Sequence, residues 1–124
     1  MPISFEPSEG SLLAQAHYRQ VALDQMRPIS RRYDLAEHEL PREWVDYWWR
    51  EGRWGPKGKP ATTNDGFITV CLQAEQLCWG DAGLYLRMPT PALGGSAVSA
   101  AGTKEQQAKF MAGFRELEGQ PIWG

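Results

Sequence analysis

Glu75 is the acid whose position most suggests chemistry. It is the one acidic residue on the apolar side of a candidate helix that runs from Asp65 to Trp79. A carboxylate beside an apolar site could accept a proton as a general base. More often, an acid in such a position binds a helix-end donor or a nearby arginine, because an unpaired charge is costly to bury. We favour the structural role and keep the catalytic one open.

Motifs for metal, phosphate or nucleophilic chemistry are missing from the sequence. His17 and His38 are far apart, and no Cys-x-x-Cys or His-x-x-x-His spacing occurs. There is no phosphate-binding loop and no dinucleotide glycine pattern. Residue order leaves a Ser-His-acid triad open, but nothing marks a nucleophile turn. We therefore assign no catalytic, metal-binding or cofactor-binding residue and interpret both histidines as surface residues.

A group of aromatic residues could stack on a sugar or a base. Its members are Trp44, Tyr47, Trp48, Trp49 and Trp54. A stacking site for nucleic acid needs a basic frame, and these residues have none around them. We therefore expect Trp44 and Trp48 to anchor a helix on the core.

The composition indicates one globular domain that does not bind nucleic acid. A chain of 124 residues with 42% hydrophobic residues and six Trp can build a single core. Thirteen basic and fifteen acidic residues give a formal net charge of −2, so the surface lacks the basic character of a nucleic-acid-binding protein. No apolar run approaches the roughly 20 residues of a membrane span, and no secretory signal is recognisable.

The two cysteines support an intracellular setting. On one helix, Cys71 and Cys78 would be about 10.5 Å apart along the axis, whereas a disulfide needs Cα atoms within roughly 7 Å. Reduced, buried thiols are therefore predicted, and they are typical of the cytoplasm.

Helical periodicity covers nearly the whole chain. A first helix is predicted over residues 9–26 with Ser8 as its cap, and Pro28 breaks or restarts it before a short polar helix over residues 29–37. Pro41 opens another helix. The first helix has one apolar wedge, made of Leu12, Ala16, Tyr18, Ala22, Leu23 and Met26.

The segment from residue 65 to residue 79 has the strongest helical pattern. Its polar positions form one narrow stripe, made of Asp65, Thr69, Gln73, Gln76 and Gly80. Apolar residues cover most of the rest, which is typical of a central helix. Gly80 then lets the chain turn, and Asp81 can cap a second helical segment.

An apolar set recurs at helical spacing after Asp81. It comprises Ala82, Tyr85, Leu86, Pro89 and Leu93, which we call the predicted wall residues. By periodicity alone this face is more simply core than the lining of an apolar ligand slot. Further along, Thr103 and Gln106 form a capping box for the last helix. Residues 120–123 resemble the start of a strand that has no partner upstream.

Two segments resemble the N-terminal helical domain of acyl-CoA dehydrogenases. One is the long apolar helix with the ending AEQLCWGDAG, and the other is a G-T-x-E-Q-x-x-x-F element followed by an E-G exit toward a strand. The second element is formed by Gly102, Thr103, Glu105, Gln106 and Phe110. Upstream, RPISRRYDLAEHELP has the proline and Tyr-Asp rhythm of the family's opening helices. The resemblance covers essentially the whole chain and is most specific over residues 67–120.

The resemblance implies an all-α fold, an antiparallel helical bundle of about five to six helices. It places this helical domain at residues 1–119 and the start of a β-domain at residues 120–124. In the family, a β-domain and a second helical domain supply the flavin-binding segment and the catalytic glutamate. The chain is thus expected to be the N-terminal piece of an FAD-dependent acyl-CoA dehydrogenase, inactive alone. Acyl-CoA, the remaining domains and further copies in a homodimer or homotetramer are the implied partners.

The resemblance also gives the predicted wall residues a role. In the family, the helix that matches Asp81 to Pro89 borders the deep end of the slot for the acyl tail. Carried over by position, Tyr85, Leu86 and Pro89 face that tail, and Ala82 and Leu93 join them by spacing alone. The bulky side chains predict a shortened or reshaped slot. The alternative is a helical interaction module without catalysis, or a split subunit that pairs with a separate flavin-bearing chain.

Overall fold

The computed structural model describes residues 6–52, 66–115 and Pro121, and all regular structure in these residues is helical. The predicted all-α class is confirmed. The loop expected around Trp54 and most of the strand expected from residue 120 lie outside the described residues. The α-helices are α1 (Glu9–Val21), α2 (Arg27–Leu35), α3 (Arg42–Tyr47), α4 (Gly66–Leu86), α5 (Ala92–Ala101) and α6 (Lys104–Arg115), with π turns at Ala22–Met26 and Trp48–Gly52. None of the described helices is both long and apolar enough to cross a membrane.

Local capping signals begin two of the helices where the sequence predicts. The Ser8 hydroxyl accepts a hydrogen bond of 3.2 Å from the amide of Ser11 at the start of α1. The amide of Thr103 donates to Gln106 Oε1 at 2.8 Å, and the amide of Gln106 donates to Thr103 Oγ1 at 3.2 Å. This reciprocal pair is the predicted capping box, and it satisfies two amides that a helix start leaves without intrahelical partners.

Pro28 widens the helix instead of breaking it. The chain passes from α1 through the π turn into α2 without interruption, and Pro28 occupies the first turn of α2. Proline lacks an amide hydrogen, and its ring collides with the carbonyl four residues earlier, at Asp24. A π turn placed just before the proline relieves that collision.

The core is built around indole rings from α3 and the π turn that follows it. Trp44 and Trp48 are 1% and 3% exposed, and their ring centroids are 5.6 Å apart. Trp44 Nε1 also donates to the carbonyl of Leu84 at 2.7 Å. The expectation that these two residues anchor a helix on the core is confirmed. The core residues are Ala14, Tyr18, Val21, Ala22, Met26, Trp44, Trp48, Leu77, Leu84 and Met88.

The central pair, α1 and α4, runs in the same direction. Ser11 Oγ lies 3.0 Å from Thr69 Oγ1 near the two helix starts, and Gly80 packs against Ala22 eleven residues further along each chain segment. The pair is therefore parallel within the all-α bundle. A parallel pair needs a long connection, and α2, α3 and the segment before α4 supply it.

The side of α4 that faces α1 is the polar stripe. Thr69, Gln76 and Gly80 are buried, whereas much of the apolar surface that we expected inside is exposed. The exposed apolar members include Phe67 (92%), Ile68 (51%), Val70 (59%) and Trp79 (44%). The stripe packs inward because Gly80 allows a close approach to Ala22 and because Thr69 finds a buried hydroxyl partner in Ser11.

Three further expectations about burial are wrong. Cys71 and Cys78 are free but exposed, since both lie on the outward side of α4. Along the predicted first helix (residues 9–26), Tyr18, Ala22 and Met26 are buried as predicted. Leu12, Ala16 and Leu23 are exposed, because the buried side is rotated toward the stripe. His17 is half-buried rather than a surface residue.

The environment of His17 is unfavourable to its charged form. Its Nε2 atom is buried and has no hydrogen-bond partner among the described residues, and its ring meets the Tyr18 ring edge-on at 5.0 Å between centroids. Burial lowers the pKa of His17 from its ordinary value of 6.5. The unfolded chain, in which the imidazole is solvated, therefore binds a proton at a higher pH than the folded chain does.

Stability should consequently fall as the pH drops below about 6.5. We expect the free energy of unfolding to decline less between about pH 7.5 and about pH 5.5 in His17→Gln than in the parent chain. Urea denaturation followed by circular dichroism measures this decline. His38→Gln, which changes an exposed histidine, is the control. Equal declines in His17→Gln and the parent would contradict the assignment.

Gly80 should not tolerate a side chain. A Cβ atom there would lie 2.8 Å from Ala22 Cβ and 3.3 Å from Ala22 Cα, so the two helices would have to separate. We expect Gly80→Ala to lower the free energy of unfolding by about 1–3 kcal/mol, the usual cost of overpacking. Gly66→Ala is the matched control, because a Cβ atom at Gly66 meets no described residue within 4 Å. Equal denaturation midpoints for the two variants would refute the close contact.

Candidate functional site

Asp81 redirects the last turn of α4. Its backbone is extended, with φ −171° and ψ 117°, between helical residues on either side. Asp81 Oδ1 accepts a hydrogen bond of 2.8 Å from the amide of Leu84, and its Oδ2 accepts one from the hydroxyl of Ser30 in α2. The prediction that the chain turns after Gly80 and that Asp81 caps a second helical segment is confirmed.

The segment after Asp81 is held firmly on the core. Leu84 and Met88 are 3% and 8% exposed and point inward, and the indole of Trp44 binds the Leu84 carbonyl. Together with the Ser30 contact to Asp81, these interactions fix the segment from two helices. Whatever faces outward on this segment is therefore presented by a rigid support.

The predicted wall residues fall into three elements. Because α4 ends at Leu86, helical spacing joins only Ala82, Tyr85 and Leu86; Pro89 lies in the following linker and Leu93 in α5. Ala82, Leu86 and Leu93 are exposed, the two leucines at 80% and 85%. Tyr85 is half-buried against the core, and Pro89 is buried. Their role toward an acyl tail stays a prediction.

The two prolines end one helix and begin another. After Leu86 the chain makes tight turns, in which the amides of Arg87 and Met88 donate to the carbonyls of Leu84 and Tyr85 at 3.1 and 3.3 Å. Pro91 then precedes the first residue of α5, and its carbonyl accepts from the amide of Gly95 at 2.8 Å. This interruption separates Leu93 from the α4 segment.

Tyr85 is the one ionisable side chain among the predicted wall residues. Burial raises the pKa of Tyr85 above its ordinary value of 10, and the nearby Cys78 thiol raises it further. The phenol is therefore neutral near pH 7. An uncharged surface of this kind can select a ligand by shape and apolar area, and it carries no group that would act as a base near pH 7.

The acid singled out first, Glu75, is exposed and makes no hydrogen bond or ion pair with the described residues. It lacks the burial expected of a general base in an apolar site. In the described ranges, no group of three or more histidine, cysteine or acidic side chains could hold a metal ion.

Two cavities in the described residues could hold a small molecule, and the one that borders the segment offers no fit for a flavin dinucleotide. The first, of about 360 Å³, lies between α2 and the end of α4. Its charged lining consists of Asp34, Glu37, Glu39, Asp81 and Arg87. This excess of carboxylates repels a pyrophosphate. The second, of about 650 Å³, is an apolar groove between α5 and α6, lined by residues such as Val98 and Phe110. We therefore assign no step of a flavin reaction to residues of this chain.

Sequence reasoning missed two positioning residues. By sequence, Ser30 is part of a short polar helix and Trp44 anchors a helix on the core, and neither pattern predicts a contact with the α4 segment. Both bind the α4 segment across more than 35 residues of sequence, a separation at which no local pattern announces a partner. A tryptophan amid core residues does carry one signal, since its buried N–H needs an acceptor.

Comparison with known proteins agrees with this architecture. Residues 8–118 match the family model described as the N-terminal domain of acyl-CoA dehydrogenase. No curated protein and no solved structure shows a significant match. The family match spans most of the 124 residues and includes every predicted wall residue. The chain therefore belongs to the acyl-CoA dehydrogenase family and represents its N-terminal domain.

Proposed function

We propose that this domain forms the wall against which an acyl-CoA dehydrogenase packs the acyl tail of its substrate. The observation that carries the proposal is Leu86, an apolar side chain left 80% exposed on a segment that Trp44 and Ser30 hold in place. Flexible loops commonly expose single leucines, but a clamped one offers a surface of defined shape. Tyr85 stands next to it with its phenol neutral.

Such a wall acts on specificity. Burying one methylene group stabilises a complex by about 0.8 kcal/mol, so the space left by Tyr85 and Leu86 decides how many methylenes contribute. The reacting Cα and Cβ atoms lie at the other end of the acyl group. The base and the FAD that dehydrogenation requires are assigned to polypeptide outside this chain. The wall therefore contributes substrate binding and orientation.

The same proposal covers organisation. Residues 1–119 form the helical domain, and residues 120–124 lead into a β-domain. Phe67, Ile68 and Val70 give α4 an exposed apolar side, which supports burial against further polypeptide. We place the enzyme in the cytoplasm as a homodimer or homotetramer.

Shortening the wall should shift the substrate preference toward longer acyl chains. In the enzyme that carries this domain, Tyr85→Ala and Leu86→Ala open space for added methylenes. We compare kcat/KM for a substrate two carbons longer with kcat/KM for the substrate that the parent enzyme prefers. We expect this ratio to rise by about tenfold in the variants, since each newly buried methylene is worth about 0.8 kcal/mol. The measurement is a kcat/KM profile across saturated acyl-CoA substrates. Leu35→Ala, at a 72% exposed position of α2, is the control. An unchanged profile in both wall variants would count against the proposal.

The exposed apolar side of α4 also favours a second candidate, a split subunit that works with a separate flavin-bearing chain. Under both candidates, the purified 124-residue chain should be colourless and show no dehydrogenase turnover. Titration with FAD, followed by its fluorescence, should show no stoichiometric binding. Tight binding at one FAD per chain would overturn the assignment of the flavin to other polypeptide.

A further inference from the structure

Two arginines converge on one tryptophan ring at the edge of the α1–α4 pair. The Cζ atom of Arg19 lies 3.8 Å from the centroid of the Trp79 ring, and the Cζ atom of Arg27 lies 5.1 Å from it. The two guanidinium carbons are therefore within about 9 Å of each other. We call this group the Arg–Trp–Arg cluster. The proposed acyl-tail wall makes no use of it.

The π turn is what brings the two arginines to the same side. Eight steps along a regular α-helix leave residues about 80° apart around the axis, which would separate Arg19 from Arg27. A π turn takes in one extra residue and so turns the following chain back by about 100°, which leaves about 20° between them. Trp79 reaches the same place because its neighbour Gly80 lets α4 approach the π turn closely.

Both guanidinium groups lack a carboxylate partner in the part of the chain that the structure describes. The ion pairs there join Arg31 with Asp34 and Arg32 with Glu43. Of the acids nearest in sequence to the cluster, Asp24 instead accepts a hydrogen bond of 2.8 Å from Gln20. Glu75, one helical turn before Trp79, pairs with neither arginine. Two positive charges are thus held together without a neutralising contact, in a chain whose net charge is −2.

The geometry of the cluster suits an oxyanion. A guanidinium stacked by its face on an indole keeps the N–H groups of its edge free to donate. Such edges bind phosphate through two parallel hydrogen bonds. Both guanidinium carbons lie within 5.1 Å of the same ring centroid, so a phosphate group bound beside this ring could accept hydrogen bonds from either arginine. Trp79 is 44% exposed, so the cluster is open to solvent.

We propose that the Arg–Trp–Arg cluster is a binding site for a phosphate group. The ligand chemistry is that of a phosphomonoester or inorganic phosphate, supplied in solution or by the headgroup of an anionic phospholipid. The site is independent of the acyl-tail wall, because it lies on α1, α2 and the part of α4 that precedes Asp81.

Inorganic phosphate is the first probe. Titration of the 124-residue chain in about 0.15 M chloride, which screens diffuse charge, should show saturable binding by calorimetry or ³¹P line broadening. Arg19→Gln and Arg27→Gln should each weaken binding at least about tenfold, because each removes a bidentate donor. Arg31→Gln removes the same charge from the same helical run, outside the cluster, and should change binding less than about twofold.

Two further variants guard against loss of fold, which circular dichroism checks for each protein. Arg27→Lys keeps the charge but loses the paired donors, and should weaken binding less than Arg27→Gln does. Trp79→Leu removes the ring that holds both side chains, and should weaken binding with both arginines in place. Absence of saturable phosphate binding by the parent chain, or equal weakening by Arg31→Gln, would overturn the proposal.

Vesicles separate the two sources of phosphate. Co-sedimentation with phosphatidylcholine vesicles containing phosphatidic acid, lost in Arg19→Gln and Arg27→Gln and competed by inorganic phosphate, would indicate a lipid headgroup. Binding of inorganic phosphate without co-sedimentation would indicate a soluble ligand. Either result supports a phosphate site, and co-sedimentation without binding of inorganic phosphate would contradict it.

Discussion

The close contact between Gly80 and the π turn is the constraint on which the rest of the structure depends. At this point α4 lies so near Ala22 that a single methyl group would not fit. The contact sets how closely α4 packs against α1. It therefore also sets the positions of the residues that flank Gly80. Trp79 is brought to the edge of the pair, and Asp81 is brought to Ser30, where its carboxylate can both cap a new helical turn and bind α2. Because Gly80 has no side chain, it thus fixes the positions of both Trp79 and Asp81.

The partner of that glycine is itself a result of local chemistry. Pro28 cannot accept a regular α-helical turn before it, so the chain widens to a π turn at Ala22–Met26. The widened turn puts Ala22 and Met26 into the core and rotates Arg27 toward Arg19. A proline that simply ended the helix would neither bury Ala22 and Met26 nor rotate Arg27 toward Arg19.

Local signals in the sequence predicted much of this fold. The side of a helix that packs against a partner distant in sequence could not be predicted. The caps at Ser8, Asp81 and Thr103 depend on residues three positions away, so their partners can be identified by inspection. The orientation of α4 depends on whether Thr69 finds Ser11, 58 residues earlier. Apolar periodicity favoured the opposite side of α4, because a pattern records which residues avoid water but not which other polypeptide covers them.

For the site, the spacing correctly grouped Ala82, Tyr85 and Leu86, but two prolines moved Pro89 and Leu93 into other elements.

The residues that hold the α4 segment in place differ from those on its outward surface, and this difference explains the apolar character of the candidate site. Hydrogen bonds from Trp44 and Ser30 hold the α4 segment, while its outward surface carries apolar groups such as Leu86. An apolar surface selects by fit only if it cannot yield to a mismatched ligand, so a clamped Leu86 discriminates where the same leucine on a loose loop would adapt. Under the proposed function, the contacts that keep the segment in place would therefore matter to specificity as much as the side chains proposed to face the acyl tail.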